Sequence, residues 1–244
     1  MLIFWAIVGI VWVGWKADRA GYFDELVIIQ KKPKPDRERY EVLMKELARW
    51  RGELAVKYKT AKTAEQKLAV EYDARVMLEL VMPEMMRCWV GTGYDFNGTA
   101  ERPGEGKVAC GYFVSTVLRD AGFRVNRYKL AQQPSENILR TFLPRKSCLL
   151  KVDKDYDDYA DWVEGLENGI YMIGLDTHVG FLVNREDGVY FFHSSASRLR
   201  GVVEERRSDA GAIRRSKWRM IGNLSGEPSA IRTWLQGDSI VVRS

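Results

Sequence analysis

Residues 178–195, "HVGFLVNREDGVYFFHSS", read as two strands joined by a tight turn. Asp187-Gly188 between two runs of apolar and β-branched residues is a hairpin signal. A turn centred near residues 185–187 folds position 178 back beside positions 193–194. The two histidines of the chain, His178 and His193, then become cross-strand neighbours, about 5–8 Å apart at Cβ. The pairing depends on register, because a slip of one residue puts them on opposite faces.

Further strand patterns surround this hairpin: "IYMIGL" (170–175), "GVVEE" (201–205), "KWRMIGNL" (217–224) and "SIVVR" (239–243). Upstream the periodicity is helical. Tyr40, Leu43, Met44, Leu47, Trp50, Leu54 and Tyr58 recur at steps of three and four and form one apolar stripe. A second helix starts at Thr63, where "TAEQ" fits a capping box, and is expected to stop or kink at Pro83. The two helices are expected to form a hairpin packed on the domain downstream of residue 83. "SENILRTFL" (135–143) and the acidic stretch 153–169 hold further helix. Helices followed by a run of strands predict an α+β fold with an antiparallel sheet.

Between the two halves lies "GTGYDFNGTAERPGEGK" (91–107), a long glycine-rich loop of the kind that is often functional. It is no phosphate-binding P-loop: Gly106-Lys107 precedes Val108 where Ser or Thr is needed, and Glu101 stands where the first glycine should be. The loop runs into "GKVACGYFVSTVLRDAGF" (106–123), which places Cys110 where loop becomes helix. Free N–H groups and the helix dipole at that position favour a thiolate. A nearby histidine can take the thiol proton and return it to a leaving amine. Such a base needs a third group to hold its tautomer, and the second histidine can fill that role. Taken singly, Cys110 reads as a small buried hydrophobe and each histidine as a hydrogen-bonded core residue. A Cys-His-His zinc site is weaker, since no CxxC or HxxxH pair supports it. The three positions together favour catalysis, with no metal or other cofactor.

The composition narrows the partners. The net charge is +5, with basic residues mostly interleaved with acids, so no nucleic-acid partner is expected. Even the densest basic cluster, residues 204–219, reads as surface. Three cysteines, Cys88, Cys110 and Cys148, leave at least one thiol unpaired and exclude a disulfide scaffold. The first 15 residues, "MLIFWAIVGIVWVGW", form an apolar run. It is shorter than the roughly 20 residues of a simple spanning helix and matches a signal core or a short anchor. Membrane association or export to the cell envelope is expected, with the side left open. Residues 16–35 end in "QKKPKPD" (30–36) and read as a linker. The organisation expected is therefore a hydrophobic segment (1–15), a linker (16–35), a helical hairpin (36–83) and a catalytic domain (84–244).

"ACGYFVSTVLRDAGF" (109–123), "THVGFLV" (177–183) and "YFFHSS" (190–195) together resemble the NlpC-type cysteine peptidases of the papain-like clan. The resemblance covers roughly residues 89–195. It implies a papain-like fold in which the nucleophile helix packs on an antiparallel sheet. It also implies Cys110 as nucleophile, His178 as base, His193 as orienting residue and Tyr94 as a residue lining the substrate site. The activity implied is hydrolysis of an amide bond through a thioester, with a peptide or peptidoglycan stem peptide as substrate. The family usually reads Asp-Cys-Ser at the nucleophile, whereas this chain has Ala109, Cys110 and Gly111. Two other activities suit the same residues: acyl transfer to an amine or lipid, and a catalytically inert, membrane-associated interaction module.

Overall fold

A computed structural model describes residues 33–153, 155–197 and 201–244. The apolar run 1–15 and most of the linker lie outside the described residues. Residues Pro33–Ser244 form one compact unit. Among the described residues it holds eight α-helices and a six-stranded antiparallel sheet, a mixed α+β architecture. None of these helices is long and apolar enough to cross a membrane.

The chain enters through two long helices. Helix α1 (Arg37–Thr60) is capped by Asp36, whose side chain accepts from the N–H of Arg39, and it buries Tyr40, Leu47 and Leu54. Helix α2 (Ala64–Cys88) opens with the full Thr63/Gln66 capping box. Pro83 neither stops nor breaks α2, which runs on to Cys88. The proline removes one backbone donor, but Met82, Met85 and Met86 around it are completely buried. That packing outweighs the lost bond and carries the helix past the expected boundary at residue 83.

Helix α3 (Cys110–Asp120) follows the glycine-rich loop. The short strand β1 (Arg124–Val125), helix α4 (Arg127–Ala131) and helix α5 (Ser135–Phe142) come next, then strand β2 (Leu149–Val152) and helix α6 (Tyr156–Glu164). Strands β3 (Gly169–Leu175), β4 (Val179–Arg185), β5 (Gly188–Ser195) and β6 (Gly201–Arg206) form a meander. Helix α7 (Gly211–Arg215), strand β7 (Trp218–Asn223), helix α8 (Pro228–Gln236) and strand β8 (Ser239–Ile240) complete the fold. The sheet order is β2-β7-β3-β4-β5-β6, and β1 pairs with β8 separately. Strand β2, in "SCLLKVD", has no alternating pattern in the sequence to announce it.

The sheet has two buried faces. On one, Met172, Phe181, Val183 and Phe192 join Phe113, Val114 and Val117 of α3 and the buried residues of α1 and α2. On the other, Ile173, Leu182 and Phe191 pack with Tyr159 and Val163 of α6 and Ile213 of α7. Rings run edge to face from Tyr40 through Trp89 and Phe113 to Phe181. Helix α8 closes the helical side: the Arg51 guanidinium donates to the Trp234 carbonyl, and the Trp234 indole donates to the Ala121 carbonyl. Helix α3, with Cys110 at its start, is therefore held between the sheet and the helical pair.

Candidate active site

Cys110 is the first residue of α3. Its N-cap, Ala109, makes no side-chain capping bond, so the first-turn N–H groups are not taken up by a cap side chain. The preceding loop is fastened to itself and to the sheet. The Val108 N–H donates to the Gly93 carbonyl, the Ala109 N–H to the Gly98 carbonyl, and Ser194 Oγ of β5 to the Val108 carbonyl at 2.6 Å. The buried Arg127 ties residues 99–100 to α3: it donates to both loop carbonyls and to Thr116 Oγ1. Gly111, where the resembling family carries serine, has a packing reason. A Cβ there would run into the carbonyl oxygen of Ala131.

The β4–β5 hairpin pairs Phe181 with Phe192 and Arg185 with Gly188 across a turn of Glu186 and Asp187. Continuing this register sets Gly180 opposite His193 and His178 two residues further along the same strand face. A Cβ on Gly180 would stand 2.6 Å from the Phe191 ring and 3.0 Å from the His193 Cβ, so glycine lets the Phe191 ring and the root of the His193 side chain pack closely here. His178 Nε2 lies 2.7 Å from His193 Nδ1. His193 Nε2 lies 2.9 Å from Glu205 Oε1 on β6. Phe191 stacks on His193 with centroids 4.0 Å apart and planes 15° apart. The result is a hydrogen-bonded series, His178–His193–Glu205, with its middle ring fixed in plane.

Cys110, His178, His193 and Tyr94 all line one cleft of about 1000 Å³. Its other walls include Phe96, Asn97, Gln132 and Gln133 on the loop and α4 side, with Ser195, Ser197, Arg215 and Ser216 facing them. Asp176 also lines it. The Ser216 hydroxyl and the N–H groups of Lys217 and Trp218 hold its carboxyl below the usual range. Arg215 is exposed, and among the described residues it has no carboxylate partner.

The electrostatics differ from the expectation for a helix-terminal thiol. Burial pushes the Cys110 thiol up, against the pull of the backbone N–H groups of Val179, Gly111 and Cys110 itself. Burial, with His193 as a second cause, lowers His178 to about 3. At neutral pH the resting pair is thus thiol and neutral imidazole. Burial also raises the Tyr94 phenol, and the neighbouring Cys110 adds to that shift.

Glu205 is a member of the site that sequence reasoning does not single out. The signal available is the alternation in "GVVEER" (201–206), which sets Val203 and Glu205 on one face, with Val203 paired to His193. Among the described residues no group of three or more His, Cys, Asp or Glu side chains is arranged to hold a metal ion. Comparison with protein-family models, curated proteins and solved structures returned no match.

Proposed function

We propose that this chain is a cysteine hydrolase with an NlpC-type, papain-like fold, cleaving an amide bond through a thioester. The observation that carries the reading is Cys110 at a helix N-terminus, in one cleft with His178 and His193, whose rings are bonded to each other and, through His193, to Glu205.

His178 accepts the thiol proton as Cys110 Sγ attacks the carbonyl carbon. Because the resting pair is neutral, this is general-base catalysis within the step and not attack by a preformed thiolate. Negative charge gathers on the carbonyl oxygen, where the Cys110 N–H and the Tyr94 hydroxyl are the donors at hand. Collapse breaks the C–N bond, and the His178 imidazolium gives its proton to the leaving amine. Water then attacks the thioester, with His178 again as base, and releases the acid and the free thiol. His193 holds His178 through both half-reactions. No cofactor enters these steps.

The substrate class is a peptide. The side-chain amides and hydroxyls of Asn97, Gln132, Gln133, Ser195 and Ser197 suit peptide N–H and C=O groups, and Arg215 suits a carboxylate. Peptidoglycan stem peptides meet both requirements. The test is intact-mass detection of an acyl adduct on Cys110 with acidic peptides and muropeptides, with Cys110→Ala as control. A transient adduct followed by free acid supports the reading. Conjugates formed with added amines would move it to acyl transfer. Folded protein giving neither adduct nor product sinks it in favour of an inert interaction module.

A further inference from the structure

Only one ring nitrogen of His178, Nδ1, remains available to the cleft, because Nε2 is engaged with His193 Nδ1. Whether Nδ1 carries a lone pair or a proton decides whether His178 can act as a base. Distance alone does not settle this, since a pair of neutral imidazoles can share one proton either way round.

Glu205 breaks the symmetry. We propose that Glu205 is a positioning residue that sets the tautomers of both histidines and so keeps the proton off Nδ1 of His178. A carboxylate offers only lone pairs, so the nitrogen facing Glu205 Oε1, His193 Nε2, must bear the hydrogen. In the neutral ring His193 Nδ1 is then a bare acceptor. It receives the hydrogen of His178 Nε2, and Nδ1 of His178 is left with its lone pair. The reversed series would set a lone pair on His193 Nε2 against a carboxylate oxygen and would put a proton on Nδ1 of His178. Such a ring cannot take the thiol proton.

The surroundings favour this assignment. His193 is 1% exposed, so water does not compete for its nitrogens. Its stack on Phe191 fixes the ring plane. Its strand partner on β6, Val203, brings no competing polar group, and Glu205 lies two residues further on the same face. The neighbouring Glu204 is engaged elsewhere, with Arg87 and Arg185. The position of one carboxylate therefore reaches the nucleophile through two rings.

This inference rests on the catalytic reading for its consequence, but its test does not need turnover. The chain has two histidines, so ¹⁵N-histidine labelling of the full-length protein yields two rings, assigned with His178→Gln and His193→Gln. At pH 7 both rings are expected as Nε2–H tautomers, with a slowly exchanging proton on His193 Nε2. Glu205→Ala is expected to lose that protected proton and to mix the tautomers. With a substrate in hand it should slow acylation of Cys110 by on the order of 10²–10⁴-fold, the range for a base held in the wrong tautomer. Wild-type His178 carrying its proton on Nδ1 would overturn the proposal, even if Glu205→Ala failed to fold. Unchanged tautomers in folded Glu205→Ala would overturn it as well. Failure to find any substrate leaves the tautomer result intact and counts only against the catalytic reading.

Discussion

The imidazole of His178 stands at 87° to that of His193, with Nε2 2.7 Å from Nδ1. An edge-on approach of this kind aims one ring's N–H along the other's lone pair, and under the proposed mechanism the buried His193 orients His178. His193→Ala is expected to lower kcat by roughly 10²–10⁴-fold with a smaller change in KM. Steady-state kinetics check this, and an equal rise in KM with unchanged kcat would count against the role.

The charge states predict how the thiol reacts. With Cys110 raised and His178 at about 3, neither group is ionised near neutrality. Iodoacetamide labelling of Cys110, followed by peptide mapping, should accelerate steadily with pH through 7–9 and show no plateau below that range. A plateau between pH 5 and 7 would reveal a preformed thiolate–imidazolium pair.

Acid stability depends on the same histidine. A base with a lowered folded pKa stays neutral in the folded state, while the unfolded chain gains a proton below its ordinary value of about 6.5. Stability is therefore fully present above pH 6.5 and falls as the pH drops from there toward 3, by at most about 1.4 kcal/mol per pH unit for this one group. His178→Gln should flatten that limb of a denaturant midpoint against pH. An identical slope would show that His178 is not the titrating group.

Gly111→Ser introduces the residue usual in the resembling family, yet it should destabilise this chain. The added atoms meet the Ala131 carbonyl at the first turn of α3, and forced packing of this kind typically costs about 1–3 kcal/mol. A fall in the thermal midpoint is expected; an unchanged midpoint would mean that α4 yields readily.

Arg215→Ala should reduce kcat/KM for peptides bearing a carboxylate by roughly 10- to 100-fold, the usual worth of a hydrogen bond to a charged group. Peptides without that carboxylate should be cleaved at an unchanged rate. Equal losses on both would assign Arg215 to cleft structure.

Much of this geometry is legible in the residues alone, and for definite reasons. Asp187-Gly188 announces a turn and brings His178 and His193 to one end of one hairpin, but the flanking runs are apolar on both faces, so the register that sets the two rings on one face comes from the strand pairing. Cys110 stands after a glycine-rich loop at the start of a helical pattern. The connection from β5 to β6 carries no comparable signal, and "EE" at 204–205 offers two adjacent carboxylates. A shift of one residue would exchange Glu205 for Glu204. The direction of the thiol shift is hidden for a different reason: it depends on enclosure by β4 and the loop, whereas the helix N-terminus is visible in one segment. Pro83 misleads because its local cost is evident in sequence and the methionine packing around it is not.

The ring series from Tyr40 through Trp89 and Phe113 to Phe181 joins the first long helix to the central strand. Amide hydrogens of α1 should therefore exchange as slowly as those of α3, because opening one strips packing from the other. In the language of modular evolution, the helical pair is no cassette to be swapped among unrelated domains. It is one wall of the same compact unit, and recombination at the loop after Cys88 would sever the support of the helix that carries Cys110.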